Sequence, residues 1–172
     1  MTINEKAART AAARSPKLQE ASHLGDAQEL RDGWFFALHS TTVAGCNGVI
    51  VNKDTGALFH LGSAFPPERD LELYDRGYQF ERYDLVIREV RDRAKTLVAL
   101  LGLRFLVVEL VLEHGTTWRI PRDMSRDELS ARLDELPCTF TDVSLYFKVE
   151  LLEEARAASW FVFEAREHVS TQ

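Results

Sequence analysis

Arg104-Phe105-Leu106-Val107-Val108-Glu109-Leu110-Val111-Leu112-Glu113-His114-Gly115-Thr116-Thr117-Trp118-Arg119-Ile120-Pro121 reads as one β-hairpin. A long apolar run carries few breaks, His114-Gly115 is a two-residue turn, and Thr116 to Pro121 returns. Helical patterns flank it on both sides, so this stretch decides the fold of the second half. On its N-terminal side, Asp92 to Leu101 puts Ala94, Leu97, Val98 and Leu101 on one helical face, and Gly102 ends the helix. Before that helix, Tyr83 to Val90 predicts a strand, although its spacing also admits a helix. On the C-terminal side, Ser125-Arg126-Asp127-Glu128 has capping-box spacing and starts a helix running to about Leu136, which Pro137 breaks. Val143 to Leu151 alternates. Val143, Leu145, Phe147 and Val149 fall on one face, with Ser144, Tyr146, Lys148 and Glu150 on the other, which predicts a strand. Ser159 to Arg166 predicts a last, aromatic strand. The predicted class is α+β. The order strand, helix, strand, strand, helix, strand is that of a ferredoxin-like split βαβ unit, here with an added C-terminal strand.

Further out, Thr2 to Arg14 predicts a helix, with Thr2 and Glu5 at capping-box spacing and Pro16 as its stop. Gln19 to Asp32 is weakly patterned. Gly33 to His39 is an aromatic strand, Asn47 to Asn52 a second, Lys53-Asp54-Thr55-Gly56 a turn, and Ala57 to Leu61 the returning strand. Pro66-Pro67 opens a short helix, Glu68 to Asp75, with Gly77 at its C′ position. The expected division is residues 1–77, an N-terminal helix plus a small antiparallel sheet, and residues 78–172, the ferredoxin-like α+β domain.

Composition narrows the functional classes. The 172 residues are 45% hydrophobic and 28% charged, which is globular rather than disordered. A net charge of −6 repels phosphate backbones, so no nucleic-acid partner is expected. Two cysteines, Cys46 and Cys138, are too few for a disulfide framework. The N-terminal stretch is alanine-rich and charged, without the apolar region of a signal peptide. Leu97 to Leu112, about 16 residues with Arg104 and Glu109 inside, is too short and too charged to span a bilayer. The expected compartment is the cytoplasm, with no membrane contact.

Catalytic signals are thin. His23, His39, His60, His114 and His168 show no i, i+4 pair and no metal-finger spacing to a cysteine. His39 and His60 lie on neighbouring strand candidates, where they either meet or serve as polar strand-edge or core residues. Cys46 sits in a glycine-flanked loop without a visible base, and Cys138 follows Pro137 and suits the core. There is no phosphate loop, dinucleotide fingerprint or Gly-x-Ser-x-Gly elbow. No enzyme activity, metal or cofactor is expected. Trp34 suits the core, while Trp118 and Trp160 suit either packing or an interface.

The run Gly33-Trp34-Phe35-Phe36 … Val43-Ala44-Gly45-Cys46-Asn47-Gly48-Val49-Ile50-Val51-Asn52-Lys53-Asp54-Thr55-Gly56-Ala57-Leu58-Phe59-His60-Leu61-Gly62-Ser63 resembles the YrhB-type immunity-protein domain over about residues 1–77. That family pairs an aromatic strand with a glycine-flanked hairpin of the form Val-x-Lys-Asp-x-Gly that ends in Leu-Gly-Ser/Thr. The resemblance implies a role in bacterial toxin–immunity systems, in which a small cytoplasmic protein binds and neutralises a toxin. The family brings no catalytic motif, and the second half lies outside the resemblance.

Two functional classes follow: a stoichiometric protein-binding, toxin-neutralising protein, and a small-molecule-binding or regulatory module on a ferredoxin-like sheet. A homodimer is left open. In a split βαβ unit the sheet face without helices takes the polar strand positions. The candidate partner-binding residues are therefore Glu109, Glu113, Arg119, Tyr146, Lys148 and Glu150, with Thr117 beside them. Phe105, Val107 and Val111 supply apolar area. The alternative is that the first domain covers this face.

Overall fold

The computed structural model describes residues 2–15, 23–39 and 46–169. It is a mixed α+β protein. Pro16 and the loop segment Val43-Ala44-Gly45 lie outside the described residues. The chain divides into two compact units, Met1–Phe80 and Glu81–Gln172.

In the first unit, helix α1 (Glu5–Ala13) precedes strands β1 (His23–Glu29), β2 (Gly33–His39), β3 (Cys46–Asn52) and β4 (Leu58–Gly62), then helix α2 (Pro67–Asp75). The strands form one antiparallel sheet in the order β1-β2-β3-β4. Adjacent residues serve opposite faces. Phe36, Val49 and Val51 pack with Ala8 and Ala12 of α1, and Phe35, Ile50 and Leu61 pack with Tyr74 of α2. Burial on both faces explains why β2 and β3 read as continuous apolar runs rather than alternating ones. The N-cap of α1 is Asn4, not Thr2: its side chain accepts the Ala7 N–H at 2.9 Å. At the end of α2, Gly77 takes φ +101°, while its N–H and that of Tyr78 return to the carbonyls of Tyr74 and Leu73, a Schellman closure. Strand β1 was not expected. It is a polar strand that, among the described residues, pairs with β2 alone, so its sequence shows little alternation.

The second unit runs β5 (Tyr83–Val90), α3 (Arg93–Leu103), β6 (Leu106–Glu113), β7 (Thr116–Asp123), α4 (Arg126–Leu133), β8 (Cys138–Val143), α5 (Val149–Ala157) and β9 (Phe161–Glu167). Its strand arrangement departs from the split βαβ expectation. β5 is central between β8 and β9, and β6 and β7 form a separate two-stranded sheet. β9 occupies the edge of β5 where the hairpin would sit in a ferredoxin-like unit. The strand expected over Val143–Leu151 is also corrected. Its first residue ends β8, residues 146–148 form a turn, and the rest begins α5. Leu145, Val149, Leu152 and Ala155 are all buried, so helical spacing from Val149 onward outcompetes the alternation that precedes it. α3 packs against both α4 and α5. Leu85, Ile87, Leu100, Leu103, Leu129, Leu145 and Leu152 form the fully buried heart of the unit. The Ser125–Glu128 capping box is present, with Ser125 Oγ accepting the Glu128 N–H and Glu128 accepting the Ser125 N–H.

Candidate functional site

The hairpin β6–β7 is the part of the second unit that its own core does not absorb. Its turn is His114-Gly115, with φ +48° and +78°, the mirror-image turn whose twist matches that of two antiparallel strands. Glu113 and Thr116 close the turn, and the register runs unbroken to Leu106 opposite Asp123. Directly opposed residues share a face. One face therefore carries Val107, Glu109, Val111 and Glu113 with Thr116, Trp118, Ile120 and Arg122. The other carries Leu106, Val108, Leu110 and Leu112 with Thr117, Arg119, Pro121 and Asp123. Both faces hold large apolar side chains in solvent. Leu106, Val108, Leu110 and Leu112 are 71, 55, 66 and 73% exposed, and Trp118 and Ile120 are 54 and 47% exposed. Full burial of one such side chain is worth roughly 1.5–3 kcal/mol, so the hairpin withholds much of its transfer energy from folding.

An ion-pair network steadies the Trp118 face. Arg122 donates from Nε to Glu109 at 3.0 Å and from both terminal nitrogens to Glu128 at 2.8 and 2.7 Å. The two-pronged contact with Arg122, assisted by the Ser125 N–H and hydroxyl, lowers the Glu128 carboxyl to about 2 and raises the Arg122 guanidinium further. This network ties β7 to the first turn of α4. At the base of the hairpin, Arg104 and Asp123 pair at 2.9 Å.

The predicted site residues do not share one surface. Glu109 and Glu113 lie on the Trp118 face. Arg119 and Thr117 lie on the opposite face, Arg119 directly across from Leu110. Tyr146 and Lys148 belong to the turn before α5, and Glu150 to the first turn of α5. Lys148 Nζ donates to the Leu103 carbonyl at the end of α3. Burial, aided by Arg104, pushes its ammonium pKa down. Tyr146 stacks edge-on against Phe147. Phe105 is 5% exposed and stacks on Phe140 at 4.1 Å between ring centroids, so it is a core residue rather than part of an open face. Val107 and Val111 are half-buried. The overlooked residues are Trp118 and Ile120 as neighbours of the glutamates. The two-residue turn carried that signal, because it sets Glu113 against Thr116 and hence Glu109 against Ile120.

The other candidates resolve into structural contacts. His39 faces His23 across β1 and β2, whereas His60 lies opposite Val49. His60 Nε2 and Ser15 Oγ are 2.8 Å apart, Ser15 fully buried and His60 half-buried, so this pair is a part-buried hydrogen bond. His168 Nδ1 lies 2.7 Å from Asp84. Cys46 Sγ donates to the Gly48 carbonyl at 3.3 Å. Cys138 is buried, which raises its thiol pKa. Trp34 is half-buried, its Nε1 donating to the Ile3 carbonyl at 3.0 Å. Among the described residues, no group of three or more His, Cys, Asp or Glu side chains could hold a metal ion, and no helix is long and apolar enough to cross a membrane.

No protein-family model, curated protein or solved structure matches the chain.

Proposed function

We propose that the chain is a non-catalytic binding protein of the immunity type, which engages and neutralises a cognate bacterial toxin in the cytoplasm. The observation that carries this reading is the β6–β7 hairpin, which keeps Trp118 and Ile120 in solvent on a face rimmed by Glu109 and Glu113. An exposed aromatic anchor beside aliphatic area, with charge at its edge, is the make-up of a protein-docking surface. The net charge of −6 suits capture of a basic partner. The resemblance of residues 1–77 to YrhB-type immunity domains supports the choice of partner.

The test is a pull-down with the product of the neighbouring gene, followed by binding kinetics. Trp118→Ala is expected to weaken the complex at least tenfold, and Glu113→Lys to slow association in a salt-dependent way. A complex indifferent to both, formed by proteins with unchanged melting temperature, overturns this surface. Failure to bind any neighbouring product overturns the immunity reading.

A second reading, a small-molecule regulatory module, has one observation in its favour. Arg91, Arg156, Ser159, Phe161, Val162 and Phe163 line a small recess in the second unit, with the Arg156 guanidinium 4.6 Å over the Phe163 ring. Arg91 and Arg156 already pair with Glu89 and Glu153 at 3.0 and 2.5 Å, so a small anion would bind there in exchange for those carboxylates. Thermal stabilisation by an anionic metabolite, lost in Arg156→Ala, would favour it.

A further inference from the structure

The two long edges of the hairpin differ. Pro121 lies across from Val108. Proline has no N–H, so this pair belongs to the class whose backbone groups point away from the partner strand. Alternation then turns the N–H and C=O of Leu106, Val108, Leu110 and Leu112 toward the outer edge of β6. Both ends of the ladder agree with this phase. Glu113 and Thr116 close a two-residue turn, and Met124 N–H donates to the Phe105 carbonyl at 2.7 Å. On β7 the same phase puts Pro121 on the outer edge, where it removes a donor. β6 thus offers an uninterrupted backbone ladder and β7 a broken one. Among the described residues, no strand pairs with the outer edge of β6. That edge carries no proline, lysine or bulge, and its charges, Glu109 and Glu113, restrict the registers open to it without closing it.

We propose that this edge pairs antiparallel with the same edge of a second copy of the chain, about a two-fold axis at Leu110, giving a four-stranded sheet β7-β6-β6-β7. Self-complementarity selects both occupant and register. An axis at Leu110 sets Val108 against Leu112 of the second copy, Glu109 against Val111, and Val107 against Glu113. An axis at Glu109 would oppose two carboxylates, and one at Val111 would oppose Glu109 with Glu113; like charges directly across a sheet repel. An axis at Val108 would pair only Leu106 to Leu110 of the strand. The Leu110 axis joins Val107 to Glu113, satisfies the open backbone groups of Val108, Leu110 and Leu112, and sets aliphatic side chains against one another. A two-stranded ribbon is marginal in water, and a four-stranded sheet is not. The contact is isologous and closed. It uses the edge of β6 and leaves the Trp118 face of each copy open, so it stands independently of toxin binding.

The test is the mass of the full chain in solution, without any toxin. The wild type is expected at twice the 19.6 kDa chain mass. Leu110→Lys is expected at one chain mass, with the hydrogen-exchange protection of β5, β8 and β9 retained, because Leu110 is 66% exposed and contributes nothing to that core. Under mild oxidation, Leu110→Cys is expected to form a disulfide-linked dimer far faster than Glu109→Cys, with the wild type correcting for Cys46 and Cys138. A wild type of one chain mass throughout the concentration range overturns the proposal. So does a Leu110→Lys protein that stays dimeric, or a Glu109→Cys protein that cross-links as fast as Leu110→Cys.

Discussion

Strand β3 and strand β6 are close in composition and opposite in fate. Asn47-Gly48-Val49-Ile50-Val51 and Leu106-Val107-Val108-Glu109-Leu110-Val111-Leu112 are both aliphatic, both antiparallel and both joined to their neighbour by a tight turn. Yet Val49, Ile50 and Val51 expose no surface, while Leu106, Leu110 and Leu112 are about two-thirds or more exposed. The difference lies in the cover. In the first unit, α1 brings Ala8 and Ala12 to one face of the sheet and α2 brings Tyr74 to the other. In the second unit both faces of the hairpin keep large apolar side chains exposed, Leu106, Leu110 and Leu112 on one and Trp118 and Ile120 on the other. Strand composition says how much transfer energy is at stake; the neighbouring elements decide whether folding or binding collects it.

The sharpest way to break this comparison is to truncate one aliphatic residue in each strand. Ile50→Ala leaves a cavity between β3 and α2 and should cost roughly 2–5 kcal/mol. Leu106→Ala should change stability by less than about 0.5 kcal/mol. Urea denaturation of the two variants measures both, and equal losses would mean that the hairpin is as much a core element as β3. A smaller effect probes the cover itself. Asn4→Ala removes the side chain that accepts the Ala7 N–H and should cost about 1 kcal/mol, with α1 loosening first in hydrogen exchange.

The smallest effect concerns the tether of the hairpin. Glu128 has its carboxyl lowered from an ordinary 4.5 to about 2, chiefly by Arg122. A depressed carboxyl contributes stability that is complete above its ordinary value and lost as the pH falls through about 2. Arg122→Gln should move the Glu128 titration midpoint upward, read by carboxyl NMR, and shift the loss of α4 order to higher pH. The midpoint should stop short of 4.5, because the Ser125 N–H still donates to Glu128 at 2.8 Å.

Legibility followed the strength of local signals. The aromatic strand at Gly33, the turn at Lys53–Gly56, the capping box at Ser125 and the hairpin turn at His114–Gly115 each carry their own chemistry in neighbouring residues, and the structure has all four. Where two periods overlapped, as at Val143 to Leu151, alternation over the first residues hid the helical spacing of Val149, Leu152 and Ala155. β1 was hidden because an edge strand with a largely exposed surface leaves no apolar period to read. The strand arrangement of the second unit is a matter of tertiary competition between β9 and the hairpin for one edge of β5, which local pattern does not encode. The grouping of Glu109 with Arg119 was decidable from the turn alone: a two-residue loop at His114–Gly115 places them on opposite faces.

Pro121 has a consequence for growth. A ribbon with two open edges is a polymerisation seed, since each added copy exposes a fresh site for the next. With the Pro121 donor missing, the outer edge of β7 keeps the backbone groups of Thr117, Arg119 and Asp123 but not a continuous row, so further addition to the proposed pair is weakened at that side. One imino acid thus biases the proposed pair toward a finite particle rather than a fibre, beside the exposed aliphatic row of Leu106, Val108, Leu110 and Leu112.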